Sequence, residues 1–187
     1  MLKSYYRKYN KKNAEYYGHH YDQRLKHVVK LILDLPSPMV LDAGCGVGSE
    51  TILFGLLGAD VTGVDLSKER LNVAKSRIPF YEDRYGIKLH TRFYLKNILR
   101  YYADGKFDII WANEFISHVH PVEDFFEAAR KNLKQRGYIV ICDSNDTNPY
   151  AKFNAWKAHR KGGLYTSVID PDSLESVPYA RERLLSI

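Results

Sequence analysis

Apolar positions fall into two alternating patterns along the chain. Some recur every three or four residues, and others form short runs bounded by turn residues. Residues 4–17 are polar and aromatic with a loose helical pattern. Leu25, Val28, Val29, Ile32 and Leu33 recur at helical spacing and predict a helix over 21–35, ended by Pro36 and Pro38. Met39–Asp42 reads as a first strand, and 47–57 as a helix stopped by Gly58. In 60–65, Val61, Gly63 and Val64 are compact enough to be buried on both faces, as parallel strands are. Ser67 caps a helix over 68–78, with Glu69 complementing its positive end.

Further along, 88–94 alternates as a third strand, with His90 and Arg92 on one face and Leu89, Thr91 and Phe93 on the other. Asp104-Gly105-Lys106 introduces a fourth strand at 107–112. A helix over 122–133 follows, striped with Phe125, Phe126, Ala129 and Leu133, and then a fifth strand over 137–143. Residues 151–161 suit a basic helix with Phe153 and Trp156 on one side, broken by Gly162-Gly163. Beyond that no strand pair is evident.

Composition adds bounds. At 187 residues the chain suits one domain with a sizeable core, and its apolar content and charge are ordinary. Apolar runs are strand-sized, far short of the ~20 residues that span a bilayer, so no membrane partner is expected. The first residues, Met1 to Lys8, hold no apolar signal core. Two cysteines, Cys45 and Cys142, make no disulfide framework, and a cytoplasmic location is the expectation. The net charge of +6 concentrates in residues 1–30, where Lys3, Arg7, Lys8, Lys11, Lys12, Arg24, Lys26 and Lys30 face only Glu15 and Asp22. Such a basic, tyrosine-rich front suits either an anionic partner such as RNA or a solvated helix face.

The candidate chemistry centres on Asp42-Ala43-Gly44-Cys45-Gly46-Val47-Gly48. A glycine turn between a strand and a helix N-terminus lets backbone approach a ligand where side chains would collide. The spacing is Gly-x-Gly-x-Gly, not the dinucleotide Gly-x-Gly-x-x-Gly, and Asp42 would repel a pyrophosphate. It could instead hold a cation or order the turn. Asp65, at a strand's carboxyl end about twenty residues past the turn, can accept from both ribose hydroxyls. The ligand implied is a cationic nucleoside without phosphates, which fits S-adenosylmethionine. A turn serving only strand–helix packing is the alternative.

Val40 to Gly48, followed by Val61-Thr62-Gly63-Val64-Asp65-Leu66-Ser67, resembles the class I S-adenosylmethionine-dependent methyltransferase family. The likeness runs from about Tyr21 to Asp143. It implies an α/β fold, a Rossmann-like doubly wound and mainly parallel sheet with helices on both faces. The closing C-terminal strand pair would be missing or atypical, leaving a shortened chain or a sheet edge covered by a partner. Within a single domain over 1–187, the parts are an N-terminal helical cap (1–35), a cofactor-binding core (36–145) and a C-terminal region (146–187). The resemblance implies cofactor contacts from Tyr21, Asp42, Ala43, Gly44, Cys45, Gly46, Asp65, Leu66, Asn97, Ile98 and Asn113, with Arg24 a candidate for the cofactor carboxylate. Tyr21 would meet the methionine end and Asn97, in place of the commoner aspartate, the adenine amino group, with Ile98 against the ring.

The loop Asn113–Pro121 follows the fourth strand and should face the reactive methyl. His118 is the first candidate for a catalytic base, ahead of His120 and Glu114, because histidine titrates near neutrality. Packing or a cofactor contact is the competing role. Asp143 and Asn145 could also meet substrate. No metal site is expected, since the adjacent His19 and His20 do not point two imidazoles at one ion on a helix. Asn113-Glu114-Phe115-Ile116 departs from the Asn/Asp-Pro-Pro-aromatic run of nucleic-acid amino methyltransferases. A small-molecule acceptor is therefore expected. RNA methylation through the basic N-terminal helix, or cofactor binding without catalysis, are the alternatives, and a homo-oligomer is left open.

Overall fold

A computed structural model describes residues 14–143, 147–160 and 165–180. The first described helix, α1 (Ala14–Asp34), begins before the helix expected over 21–35 and takes in 14–17 of the stretch read over 4–17, whose residues 4–13 lie outside the described residues. Five strands, β1 (Met39–Ala43), β2 (Asp60–Asp65), β3 (Thr91–Leu95), β4 (Phe107–Asn113) and β5 (Leu133–Cys142), pair in the order β3-β2-β1-β4-β5. Every pairing is parallel. The order reverses at β1, so β1 and β4 diverge to opposite sides of a crevice at their carboxyl ends, where open α/β sheets bind ligands.

Alternation within each strand sorts the core into two layers. On one face Val40, Val61, Ile109 and Trp111 meet Val28 and Ile32 of α1 and Phe54 of α2 (Ser49–Leu56). The Phe54 and Trp111 rings meet edge to face at 5.9 Å. Farther along this face Leu71 and Ala74 of α3 (Lys68–Tyr85) cover Phe93 and Cys45. On the other face Leu41, Val64, Ile110 and Ala112 meet Phe125 and Ala129 of α4 (Val122–Asn132) and Ile98 of a short 3-10 turn, Ile98–Arg100.

Three local readings change. α3 runs through Pro79 to Tyr85 and ends at the left-handed Gly86. An exposed proline costs a helix one backbone hydrogen bond, which a long helix tolerates. β5 begins at Leu133, four residues early, because Arg136 in the left-handed region (φ 64°) lets the strand shift register against β4 and keep pairing. Phe126 is exposed, and Ala128 takes its expected place in the buried stripe of α4.

The C-terminal region holds α5 (Pro149–His159) and an antiparallel hairpin, β6 (Tyr165–Ile169) with β7 (Ser176–Ala180). The strand pair that sequence patterning missed is present, but it forms its own two-stranded sheet and leaves β5 at the edge of the main one. No helix among the described residues is long and apolar enough to cross a membrane.

A 3-10 turn, not a helix, covers the sheet between β3 and β4, and one buried side chain holds its trailing loop. Asn132 of α4 accepts from Ala103 N at 3.0 Å and donates to Tyr101 O and Ala128 O at 2.7 and 2.9 Å. Asn132→Ala strands buried backbone groups that each cost roughly 1–3 kcal/mol. Urea unfolding should therefore show a loss of about 2–4 kcal/mol, against less than 1 kcal/mol for the exposed neighbour Lys131→Ala.

Candidate cofactor and acceptor site

The glycine turn leaves β1 and crosses toward β2. Gly44 N and Cys45 N both donate to Val64 O, at 2.9 and 3.1 Å, pinning the bend to the adjacent strand. Gly44 has φ 73°, and a Cβ there would lie 2.2 Å from the Phe115 ring. Gly46 has φ 53° and nothing within 4 Å of where a Cβ would stand. One glycine is therefore demanded by packing, while the other presents bare backbone to an open face.

Asp65 closes the turn from the β2 tip. Its Oδ2 accepts from Gly46 N at 2.9 Å and its Oδ1 from Ser67 N at 2.7 Å. One carboxylate thus joins the turn to the start of α3. It faces the turn, only 9% exposed, and each oxygen keeps a lone pair for a further donor. Leu66 is half-buried beside it.

Asp42 lies beneath the turn. Its Oδ2 accepts from Thr51 Oγ1 at 2.5 Å, so it orders the first turn of α2. Burial, then the nearby Glu50 carboxylate, push its pKa from 3.8 up to about 8. Burial raises Glu50 too, opposed by the Arg24 guanidinium. This arrangement favours a cation entering the crevice, which would stabilise the ionised carboxylates. Ala43 and Cys45 are buried in the two core layers and can offer a ligand only backbone.

At the β4 tip, Asn113 Nδ2 donates to Glu50 Oε1 at 3.4 Å. Its Oδ1 is buried with no hydrogen-bond partner among the described residues, so it can accept from a ligand ammonium. Arg24 reaches across from α1 to pair with Glu114, which stands in the left-handed region at φ 48°. Strained residues of this kind cluster at functional sites. Arg24 therefore anchors the loop that follows β4. His118, half-buried, lies on the 3-10 turn Ile116–His118, and Asp143 secures that turn by accepting from Ser117 N at 3.0 Å. Asp143 is thus a loop fastener.

Asn97 follows β3. Its Oδ1 accepts from Leu99 N at 3.0 Å, and Ile98 is buried in the core cluster. Tyr21 lies on α1, its side chain outside the described residues, as are those of His19 and His20. Asn145, Lys8, Lys11 and Lys12 also lie outside them. Among the described residues no three histidine, cysteine or acidic side chains form a metal-holding group. Sequence reasoning missed Glu50 and the pair Asp170 and Asp172. An Asp-Pro-Asp-Ser run is a turn signal and could have located the hairpin.

A family model described as "Methyltransferase domain" matches residues 17–180. The chain is 32% identical over 108 residues to a ubiquinone biosynthesis O-methyltransferase of Pelagibacter ubique, covering 58% of this chain and 42% of that protein. It is 35% identical over 107 residues to methyltransferase GfsG of Streptomyces halstedii, covering 56% and 37%. The chain thus spans about two fifths of these relatives' lengths. Among solved structures, a DhpI–SAH complex superposes with a TM-score of 0.62 at 20% identity, over 98% of this chain and 78% of that one. The protein PH0226 from Pyrococcus horikoshii gives 0.60 at 18% identity over 95% and 83%. Both establish the fold.

The raised Asp42 pKa fixes a sign. The folded chain holds this proton between the unfolded value near 4 and about 8, so stability falls as pH rises through that window. Asp108 and Asp170, held below the usual carboxylate range, lose their stabilising contribution only at lower pH. Asp42→Asn should gain stability relative to the unmutated chain by on the order of 3 kcal/mol between pH 5 and pH 8, read by denaturant unfolding at both values. A pH-independent difference would show that Asp42 is ionised throughout.

Proposed function

This chain belongs to the class I S-adenosylmethionine-dependent methyltransferase family, and we propose that it methylates a small-molecule acceptor. The observation that carries this reading is the Asp65 carboxylate, which spans Gly46 N and Ser67 N beside an open glycine backbone. S-adenosylmethionine, when bound, supplies an electrophilic methyl on a sulfonium.

The residues present suit that cofactor. Asp65 has lone pairs left for two ribose hydroxyls, and Asn97, one strand farther out, offers a carbonyl to the adenine amino group. Asn113 Oδ1 can accept from the methionine ammonium, a role shared with Tyr21. Asp42 and Glu50 lie close enough to perturb each other, and a cation beside them would favour their ionised forms. Gly44, Gly46 and Leu66 complete the wall. The chain's remaining task is to align an acceptor atom with the methyl, because in-line displacement depends chiefly on orientation. Arg24 and Asp143 hold the loop that would do so, and His118 on that loop would take the proton of a hydroxyl acceptor.

Two relatives support a small acceptor: their names refer to ubiquinone biosynthesis O-methyltransferases, in Pelagibacter ubique and in rat mitochondria. The loop sequence Asn113-Glu114-Phe115-Ile116 supports it independently. The RNA reading rested on the basic residues of 1–30, of which Arg24, Lys26 and Lys30 are among the described residues, and no observation favours it. The free thiols of Cys45 and Cys142 support a reducing, cytoplasmic setting.

Calorimetry with S-adenosylmethionine and S-adenosylhomocysteine should detect binding, weakened by about 1–3 kcal/mol in Asp65→Ala. His118→Ala should leave that affinity intact while slowing S-adenosylhomocysteine release from a hydroxyl acceptor by roughly 10²–10⁴-fold. Absence of cofactor binding by the unmutated chain would end the proposal. Binding without turnover across hydroxyl, amine and RNA acceptors would leave a cofactor-binding module.

A further inference from the structure

The turn of the detached hairpin docks on the tip of β3. Asp170, at its start, is fully buried, and its backbone N–H donates to Glu175 O at 2.9 Å while its own carbonyl accepts from Leu174 N at 2.7 Å. Its Oδ1 accepts from Asp172 N at 2.9 Å. The turn is thus built before it touches anything else. Its outward contacts then fall on three residues at and just beyond the end of β3, two of them on Asn97. Asn97 Nδ2 donates to Asp170 Oδ2 at 3.4 Å, and Asn97 N donates to Asp172 Oδ2 at 3.2 Å. Arg100 lies 3.2 Å from Asp170 Oδ2, and Lys96 pairs with Asp172 at 2.7 Å.

These contacts determine which way the Asn97 amide points. Leu99 N can only donate and accepts no bond, so the atom facing it is Oδ1. The Asp170 carboxylate can only accept, so the atom facing it is Nδ2. Both neighbours demand the same orientation. One lone pair of Oδ1 remains beyond the bond to Leu99 N. β3 lies directly beside β2 with Asp65 opposite Leu95, so a base attached to a ribose on Asp65 extends either over the glycine turn or toward Asn97.

We propose that Asp170 is a positioning residue for adenine recognition: it holds the Asn97 amide so that its carbonyl accepts from the adenine 6-amino group. This rests on the cofactor reading above. It also explains why an asparagine stands where an aspartate is commoner. A carboxylate at position 97 would face Asp170 across the distance now bridged by the amide N–H, with Asp172 alongside. Like charges that close cannot both ionise without a large cost, whereas an amide donates to one carboxylate and still presents an acceptor. The hairpin, set apart from the main sheet, thereby forms a wall of the adenine end of the crevice.

The test measures binding of S-adenosylhomocysteine and of S-inosylhomocysteine, which carries a 6-oxo group in place of the 6-amino, in the unmutated chain, Asp170→Asn, Asn97→Asp and Asn97→Asp/Asp170→Asn. Thermal unfolding of each variant runs alongside. The ratio of the two affinities does not depend on the folded fraction, so a merely structural role would not move it. The unmutated chain should prefer the amino form at least tenfold. Asp170→Asn should cut that preference below threefold, since its amide no longer fixes the orientation of Asn97. Asn97→Asp should weaken S-adenosylhomocysteine binding more than tenfold, and the double variant, with carboxylate and amide exchanged, should recover both affinity and preference. An unchanged ratio in Asp170→Asn, or additive losses in the double variant, would overturn the assignment. If the unmutated chain binds neither ligand, the cofactor reading itself falls and takes this one with it.

Discussion

The bond from Gly46 N to the Asp65 carboxylate is the constraint on which the site depends. It spans two adjacent parallel strands at their carboxyl ends, and the same carboxylate holds Ser67 N at the start of α3. A single acid therefore fixes the height of the glycine turn, the first residue of a helix and the remaining acceptor geometry for a ligand. A surface carboxylate would gain little from two backbone bonds. At 9% exposure Asp65 is largely removed from competing water, and bonds from backbone N–H groups to an ionised carboxylate are stronger than neutral ones. The turn cannot relax away from Asp65 because Gly44 N and Cys45 N are tied to Val64 O one residue earlier.

The two acids of the crevice have different surroundings. Asp42 accepts from the hydroxyl and the backbone of Thr51 and has the Glu50 carboxylate nearby, and burial outweighs those bonds, so its proton is retained toward neutrality. Asp65 has two backbone donors. Ligand and fold therefore make opposite demands on Asp42. The folded chain is more stable with it neutral, whereas a cationic ligand is better served with it ionised. Binding a sulfonium to such a site should release a proton near pH 7 to 8, and binding the neutral thioether should not.

The strand tips were legible in the sequence, and the couplings between distant segments were not. Asp65 could be read because a compact apolar run ending in an acid, followed by a serine cap, has a local meaning in a parallel sheet. The glycine turn was legible for the same reason. Arg24 with Glu114 is ninety positions apart in the chain, and Asn97 with Asp170 seventy-three. Periodicity carries no information about such pairs. The β6–β7 hairpin was missed because its strands stand apart from the main sheet and carry no continuous apolar run, with Pro178 inside β7. The helix expected over 68–78 runs on through Pro79 to Tyr85.

The short connection between β3 and β4 has a consequence on the face of the sheet that it covers. With only the 3-10 turn Ile98–Arg100 there, a cavity of about 510 Å³ opens, lined by Thr62, Arg92, Tyr94, Lys96, Arg100 and Tyr101. Cations beside tyrosines suggest an anion or nucleotide site at first sight. Their pairing argues otherwise: Arg92 is matched to Asp60 at 2.5 Å, Lys96 to Asp172 and Arg100 to Asp170. An incoming anion would have to displace a carboxylate from each cation and would gain no net charge complementarity. The cations serve instead to neutralise the acids of the hairpin turn and of β2. The basic residues of this face thus belong to the same arrangement as Asn97: they are what allows two buried or half-buried carboxylates to stand at the end of β3 and shape the crevice from behind.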